Sequence, residues 1–214
     1  MFNTIFALLL LILLLPIYFL VFLLLLLFQG WPVFFYQKRV GKGFKDFHLF
    51  KYRTMRVDSY GPLITAKEDK RITFFGKIIR RLKADELPQI FNVFLGNLNF
   101  VGPRPEVPKY VNREDFFFLS EIKPGLTDYS SILFANEEKV LFRLGGVDRY
   151  NDLLKIKLEL IDYYLEVKSF WIDMKILIFT ILSFFAPKTI NNMIKEEINK
   201  KKPALAEKIT EIGI

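Results

Sequence analysis

"IFALLLLILLLPIYFLVFLLLLLF", from Ile5 to Phe28, is an almost unbroken apolar run with one proline, Pro16, near its middle. Coiled as a single helix it would extend about 36 Å at 1.5 Å per residue, enough to enter or cross a bilayer. A cleaved signal peptide does not fit, because the run is too long, no basic segment precedes it and no small-residue cleavage site follows. The segment therefore reads as a membrane anchor. Pro16 removes one helical hydrogen bond and clashes with the preceding turn, which predicts a kink. Two topologies follow: a kinked helix that spans, or a helix-break-helix that dips into one leaflet and returns. Sequence physics weighs them evenly. In both, Lys38 and Arg39 follow the run directly, and the positive-inside tendency places the rest of the chain on the cytoplasmic side.

The remaining composition bounds the chemistry. The chain has 214 residues, 52% of them hydrophobic, with a net charge of +8 and a mean hydropathy of +0.25. No Lys, Arg, Asp or Glu occurs before Lys38, so the charge belongs to the part outside the anchor. Such a balance suits nucleic acid, anionic lipid or a phosphorylated substrate. The absence of cysteine excludes disulfides and thiolate metal sites. His48 is the only histidine, which excludes a His-based triad or a His-rich zinc site within this chain.

Outside the anchor, local patterns predict an α+β, mainly helical fold. Gly30-Trp31-Pro32 closes the apolar run with an interfacial aromatic. "PVFFYQKRVG" (32–41) and "FHLFKYRTM" (47–55) are β-prone and flank Gly41-Lys42-Gly43, so a small antiparallel hairpin is expected. Gly61-Pro62 marks a loop. Thr73 is a cap for a helix through "FFGKIIRRLKADE" (74–86), whose apolar residues follow helical spacing. "QIFNVFLGNLNF" is apolar and broken at Gly96, Gly102-Pro103-Arg104-Pro105 is a stiff loop, and Lys123-Pro124-Gly125 is a turn. Tyr150 to Phe185 is helical, and its second half is apolar enough to lie against a core or the membrane interface. The Lys-rich tail reads as a solvated helix. The divisions are an anchor over 1–37, a domain of catalytic size on the cytoplasmic face over 38–187 and a basic tail over 188–214.

"RRLKADELPQ" (80–89) places two adjacent carboxylates behind three cations and before a proline. Helical neighbours point about 100° apart, so Asp85 and Glu86 do not share a face and do not flank one bond symmetrically. Divided roles fit them better, one attacking and one binding metal or moving a proton. Pro88 disfavours helical geometry at Leu87 and takes away the usual partner of the Ala84 carbonyl, so the helix is expected to end or kink at the pair. The bland alternative is an exposed Arg81–Asp85 pair with Glu86 solvated. In "VGPRP" two prolines present the Arg104 guanidinium at low entropic cost, a fork suited to phosphate oxygens; a structural loop with Glu106 as its partner is the alternative. Lys51 and Arg53 alternate with aromatics like a strand whose basic face meets an anion, or one merely half exposed. Phosphate diester chemistry at a membrane surface fits this inventory. Nucleic-acid binding fits the charge and leaves the anchor and the acidic pair unexplained.

These motifs resemble the bacterial sugar transferases, also called monotopic phosphoglycosyl transferases, in their minimal form. "PVFFYQKRVG", "FKYRTM", "GPLIT", "RITFFGKIIRRLKADELPQIFNVFLGNLNFVGPRPEVPKYV", "KPGLT" and "SFWIDMKILIFT" run in family order from Gly30 to Thr180. The resemblance implies transfer of a phospho-sugar from a UDP-sugar to polyprenol phosphate, usually undecaprenyl phosphate. UMP is released through a covalent intermediate with Mg²⁺ as cofactor. It implies Asp85 as the nucleophile, Glu86 as its supporting carboxylate, both as metal ligands, and Lys51, Arg80 and Arg104 as phosphate-facing cations. It also implies a re-entrant anchor, amphipathic interfacial helices around the site, and contact with membrane lipid but no nucleic acid; a homo-oligomer is allowed. The chain departs from the family in having Leu15-Pro16 where a Ser-Pro pair is usual, Ala84 where a larger apolar residue is usual, and "DYSSILFANEE" after "KPGLT". No sugar-side contact is therefore assigned beyond Thr127. A non-enzymatic membrane scaffold of a glycan pathway is the alternative function.

Overall fold

The apolar run forms two helices, α1 (Phe2–Leu13) and α2 (Leu15–Gln29), bent by 60° at Leu14. Pro16 sits in the first turn of α2, where a missing N–H would have no intrahelical partner in any case. Hydrogen bonds from Leu14 N–H to Leu10 O and from Tyr18 N–H to Leu14 O, both 2.9 Å, carry the backbone across the break. The bend thus forms with leucine at the place of the family's serine. Among the described residues no single helix is long and apolar enough to cross a membrane. The side chains around the bend, Leu9, Ile12, Leu13, Leu15, Phe19 and Leu20, are exposed.

The computed structural model describes residues 2–57, 61, 65 and 69–214; the expected loop at Gly61-Pro62 lies partly outside them, at Pro62. The chain divides into two units. One comprises Met1–Leu63, Glu68–Asn99 and Pro105–Pro124, the other Ile64–Lys67, Phe100–Arg104 and Gly125–Ile214.

In the first unit β1 (Phe34–Val40) and β2 (Asp46–Tyr52) form the expected antiparallel hairpin, in register from Phe34↔Tyr52 to Val40↔Asp46. Gly43, at φ 69°, makes the turn between them. Thr73 caps α3 (Phe74–Arg81), its Oγ1 accepting from Gly76 N–H at 2.8 Å. A Cβ on Gly76 would lie 2.1 Å from Thr54 O, so only glycine allows α3 to meet the chain leaving β2. The apolar residues Phe74, Ile78 and Leu82, four apart, are exposed along one side of this helix. α4 (Gln89–Phe94) lies against α1 and β2. Its Asn92 is fully buried and plugs the outer edge of β2: Oδ1 accepts from Phe50 N–H at 2.9 Å and Nδ2 donates to His48 O at 2.8 Å. Arg39 of β1 holds the segment after the prolines, donating to Pro105 O at 2.9 Å and reaching Glu106 Oε2 at 3.4 Å.

Arg53 has a different place from the one its alternation with aromatics predicts. It lies just past the end of β2, buried, and its Nη2 donates to Gln29 O and Gly30 O at 2.7 Å each. The guanidinium satisfies carbonyls that every helix leaves open at its C-terminus and complements the dipole there. Arg53 therefore secures α2 to the hairpin; it is not on a basic face.

In the second unit Phe100 and Val101 of β3 (Asn99–Val101) and β4 (Gly125–Thr127) belong to a two-stranded sheet that the apolar pattern did not reveal. A Cβ on Gly125 would lie 2.3 Å from Gly102 N, a backbone approach open only to glycine. Six helices follow: α5 (Tyr129–Leu133), α6 (Glu137–Leu144), α7 (Tyr150–Val167), α8 (Phe170–Ser183), α9 (Pro187–Asn199) and α10 (Pro203–Glu211). The expected helix over 150–185 is interrupted at Ser169, whose side chain caps α8. The tail is not merely a solvated helix. α9 and α10 bury Ile190, Ile194, Ile198, Leu205 and Ile209 and lie against α8 and α7. α8 in turn exposes Phe170, Trp171, Ile178 and Ile181.

Asn92→Ala would deprive Phe50 N–H and His48 O of their partners. It is expected to lower stability by about 1–3 kcal/mol, measured as the fall in thermal unfolding midpoint of the detergent-solubilised chain.

Candidate active site

The segment from Phe74 to Glu86 is not one helix. α3 ends at Arg81, Lys83 adopts left-handed backbone (φ 55°), and Ala84–Glu86 make one 3₁₀ turn. Leu87 and Pro88 then lead into α4 with right-handed helical backbone. Two expectations are corrected. The helix stops before the acidic pair, because Lys83 reverses the backbone. Pro88 does not drive Leu87 out of helical geometry; it stands at the entry of a new helix, where its missing N–H breaks no ladder. The Ala84 carbonyl lacks its i+4 partner, as expected, and accepts instead from Leu87 N–H at 3.3 Å. The break also removes the i, i+4 relation between Arg81 and Asp85, and Arg81 is exposed.

A 3₁₀ turn separates consecutive side chains by about 120°, which divides the pair as its sequence suggests. Asp85 points inward, is 8% exposed, and has no hydrogen-bond partner for its Oδ1 among the described residues. Glu86 is half-buried and faces β2, with Oε1 3.5 Å from Lys51 Nζ. Arg80, on the last turn of α3, is held by Thr54, whose Oγ1 accepts from its Nε at 2.8 Å. Burial pushes the Asp85 carboxyl above its ordinary range and the charge of Glu86 pushes the same way, while Lys51, Arg80 and Lys83 pull it back. The structure thus brings together Lys51, Arg80, Asp85 and Glu86 of the expected set and adds Lys83. Thr54 went unnoticed in the sequence. Only the pairing of "FKYRTM" with α3, twenty-six residues apart, gives its hydroxyl a task.

Arg104 belongs to the second unit. Its N–H donates to Asp128 Oδ2 and its Nη1 to Leu126 O, both at 3.3 Å. Asp128 is buried and also accepts from Ser130 Oγ at 2.9 Å, Ser131 N–H at 2.7 Å and Ser131 Oγ at 2.6 Å. The "DYSS" that departs from the family pattern is therefore a capped turn that fixes the backbone of the arginine loop. Glu106, the alternative partner considered for Arg104, accepts from Arg39 in the first unit.

The model of the family described as "Bacterial sugar transferase" matches residues 1–187. The chain belongs to this family. It is 35% identical over 157 residues to the UDP-N-acetylgalactosamine-undecaprenyl-phosphate N-acetylgalactosaminephosphotransferase of Aeromonas hydrophila, covering 70% of this chain and 34% of that protein. It is also 35% identical over 167 residues to a UDP-glucose:undecaprenyl-phosphate glucose-1-phosphate transferase of Xanthomonas campestris pv. campestris, covering 74% of this chain and 32% of that one. An uncharacterized sugar transferase of Bacillus subtilis, EpsL, is 35% identical over 191 residues, with 86% and 81% covered. The chain thus spans about a third of the first two relatives and most of the third. These names describe a transferase family.

A family metal can be weighed against the donors present. Among the described residues no three Asp, Glu, His or Cys side chains gather into a cage. Mg²⁺ rarely needs one, since it is commonly held by one or two carboxylates together with substrate phosphates. Asp85, with its partnerless Oδ1, and the adjacent Glu86 supply that complement.

A carboxyl group shifted upward on folding contributes stability below its ordinary value of 3.8 and loses it as pH rises through the shifted one. In the metal-free chain Asp85→Asn is accordingly expected to be the more stable protein at neutral pH, by about 1 kcal/mol. The difference should shrink as pH falls toward the ordinary value; thermal unfolding with chelator across that range reads it.

Proposed function

We propose that the chain transfers a phospho-sugar from a UDP-sugar to polyprenol phosphate at the cytoplasmic membrane face, with Asp85 as the covalent nucleophile. The observation that carries this reading is the buried Asp85 carboxylate, whose Oδ1 has no hydrogen-bond partner among the described residues, beside a Glu86–Lys51 pair. A carboxylate approaching a diphosphate meets like charge, and burial further disfavours its ionised form. Lys51, Arg80 and Lys83 offset both effects from fixed positions, as charge stabilisation in a reacting site requires.

The electron flow balances in two displacements. An Asp85 oxygen attacks the β-phosphorus of the donor, the bond from that phosphorus to the bridging oxygen breaks, and UMP leaves. An oxygen of polyprenol phosphate then attacks the same phosphorus, the bond to Asp85 breaks, and a polyprenyl diphosphosugar results. Mg²⁺ bound by Asp85 or Glu86 would neutralise charge on the diphosphate. Glu86, steered by Lys51, keeps the second carboxylate off the line of attack. The phosphate-facing role of Arg104 rests on the family resemblance, supported by the stiffness of its loop.

The same reading makes the anchor re-entrant. α2 extends about 22 Å at 1.5 Å per residue, short of a hydrocarbon core of about 30 Å. Both ends of the helix pair are tied to one unit, by Asn3 Nδ2 to Asn99 Oδ1 at 2.9 Å and by Arg53 to the end of α2. The exposed apolar residues at the bend suit acyl chains, and those along α3 suit the interface. Lys38 and Arg39 support a cytoplasmic location.

A panel of UDP-sugars scored for UMP release is expected to give one or more donors whose turnover requires polyprenol phosphate and Mg²⁺. Asp85→Asn should lower kcat by about 10⁴-fold or more, and Lys51→Met by about 10²-fold. Normal turnover by Asp85→Asn would sink the mechanism, and silence across the panel would favour a scaffold. For topology, the cysteine-free chain accepts a single Asn3→Cys. An impermeant thiol reagent should label it only after permeabilisation, and labelling from outside intact cells would rule out re-entry.

A further inference from the structure

Tyr18 lies just past the bend of the apolar helix pair, yet it makes two polar contacts with the rest of the first unit. Its hydroxyl donates to Leu87 O at 2.7 Å, and its own carbonyl accepts from the Tyr52 hydroxyl at 3.0 Å. Its ring meets Phe91 of α4 edge-on at 5.8 Å, and the Tyr52 ring stacks on Phe34 at 5.3 Å. Both tyrosines are buried. One residue of the embedded helix thus holds the last residue of β2 and the first residue after the acidic pair.

The lengths of the bonds around the turn show what this contact adds. The 3₁₀ turn is closed by Glu86 N–H to Lys83 O at 3.2 Å and Leu87 N–H to Ala84 O at 3.3 Å, both beyond the usual 2.9–3.0 Å for such bonds. Leu87 O also accepts from Ile90 N–H at 3.1 Å. The bond from Tyr18, at an ordinary O–H···O length, comes from outside the turn. A phenylalanine would fill the same apolar space, so a buried hydroxyl at this place needs its partner to be tolerated.

We propose that Tyr18 is a positioning residue for the acidic pair. It fixes the Leu87–Pro88 peptide from the embedded helix, so that the seating of the anchor sets the aim of Asp85 and Glu86. The anchor is then a wall of the site as well as a tether. The proposal rests on phosphosugar transfer as the reaction of this site.

Tyr18→Phe in the full chain, reconstituted in lipid nanodiscs, tests it. The substitution removes one hydroxyl and leaves Leu87 O with Ile90 N–H, so no buried polar group is orphaned. Expected are a fall in kcat of about ten- to a hundredfold, a KM for the UDP-sugar within about twofold of the parent, and a melting temperature lowered by no more than about 5 °C. Amide hydrogen exchange over residues 83–88 should quicken while that of α7 does not. Parent-like kcat, or parent-like exchange over 83–88, overturns the proposal. If the parent turns over no UDP-sugar, the reaction reading fails and exchange alone decides the Tyr18 link, by the same criterion. If Tyr18→Phe unfolds the chain, Tyr52→Phe, which frees the Tyr18 backbone from β2, is read by the same measurements; no change in either overturns the proposal.

Discussion

The first unit depends on one side chain, the amide of Asn92. A two-stranded hairpin leaves an open edge on each strand, and the edge of β2 would otherwise need water or a third strand. Asn92 supplies an acceptor to Phe50 N–H and a donor to His48 O, which ties α4 to β2 at a fixed height. The turn that precedes α4 is carried with it. Glu86 consequently arrives beside Lys51, the strand residue next to Phe50, and Asp85 is turned into the interior. Besides that bond, the acidic pair meets the hairpin through the Lys51–Glu86 pair at 3.5 Å, which is looser and sets register less sharply.

Placing Asp85 there has an energetic cost. A carboxylate withdrawn from water is disfavoured in its charged form, and a second carboxylate beside it adds repulsion. Three cations act against this from different elements: Lys51 from β2, Arg80 from the end of α3 and Lys83 from the left-handed residue between helix and turn. Their balance leaves the carboxyl above its ordinary range, a poised arrangement of the kind found at reacting sites. Arg80 is itself fixed by Thr54, and Gly76 allows the close approach of α3 that makes this contact.

The bent helix pair and the candidate site are joined by side-chain hydrogen bonds. Arg53 closes the end of α2, Tyr18 reaches Leu87, and Tyr52 reaches Tyr18. The missing serine of the family's Ser-Pro pair has no visible consequence for the bend, since flanking backbone bonds bridge it. The second departure, "DYSS", is absorbed differently. Asp128 gathers both serines and the Arg104 N–H around one buried carboxylate, so this stretch holds the backbone of the arginine loop.

What the sequence determined by itself were features written in local patterns. The apolar run and its proline specified a bent helix pair. Alternating β-prone residues around two glycines specified the hairpin, Thr73 the start of α3, and the order of motifs the family. The acidic pair and its nearest cations were legible because they are contiguous or lie in recognisable motifs. The tertiary structure decided which way each charged group faces. Arg53 and Lys51 are two residues apart on one strand pattern, yet one caps a helix and the other meets Glu86. Thr54, Asn92 and Asp128 owe their roles to partners 24 to 44 residues away, and the amphipathic tail buries its isoleucines only because α7 and α8 are there to receive them. Periodicity records how a segment is buried; it carries no record of what a distant segment brings to it.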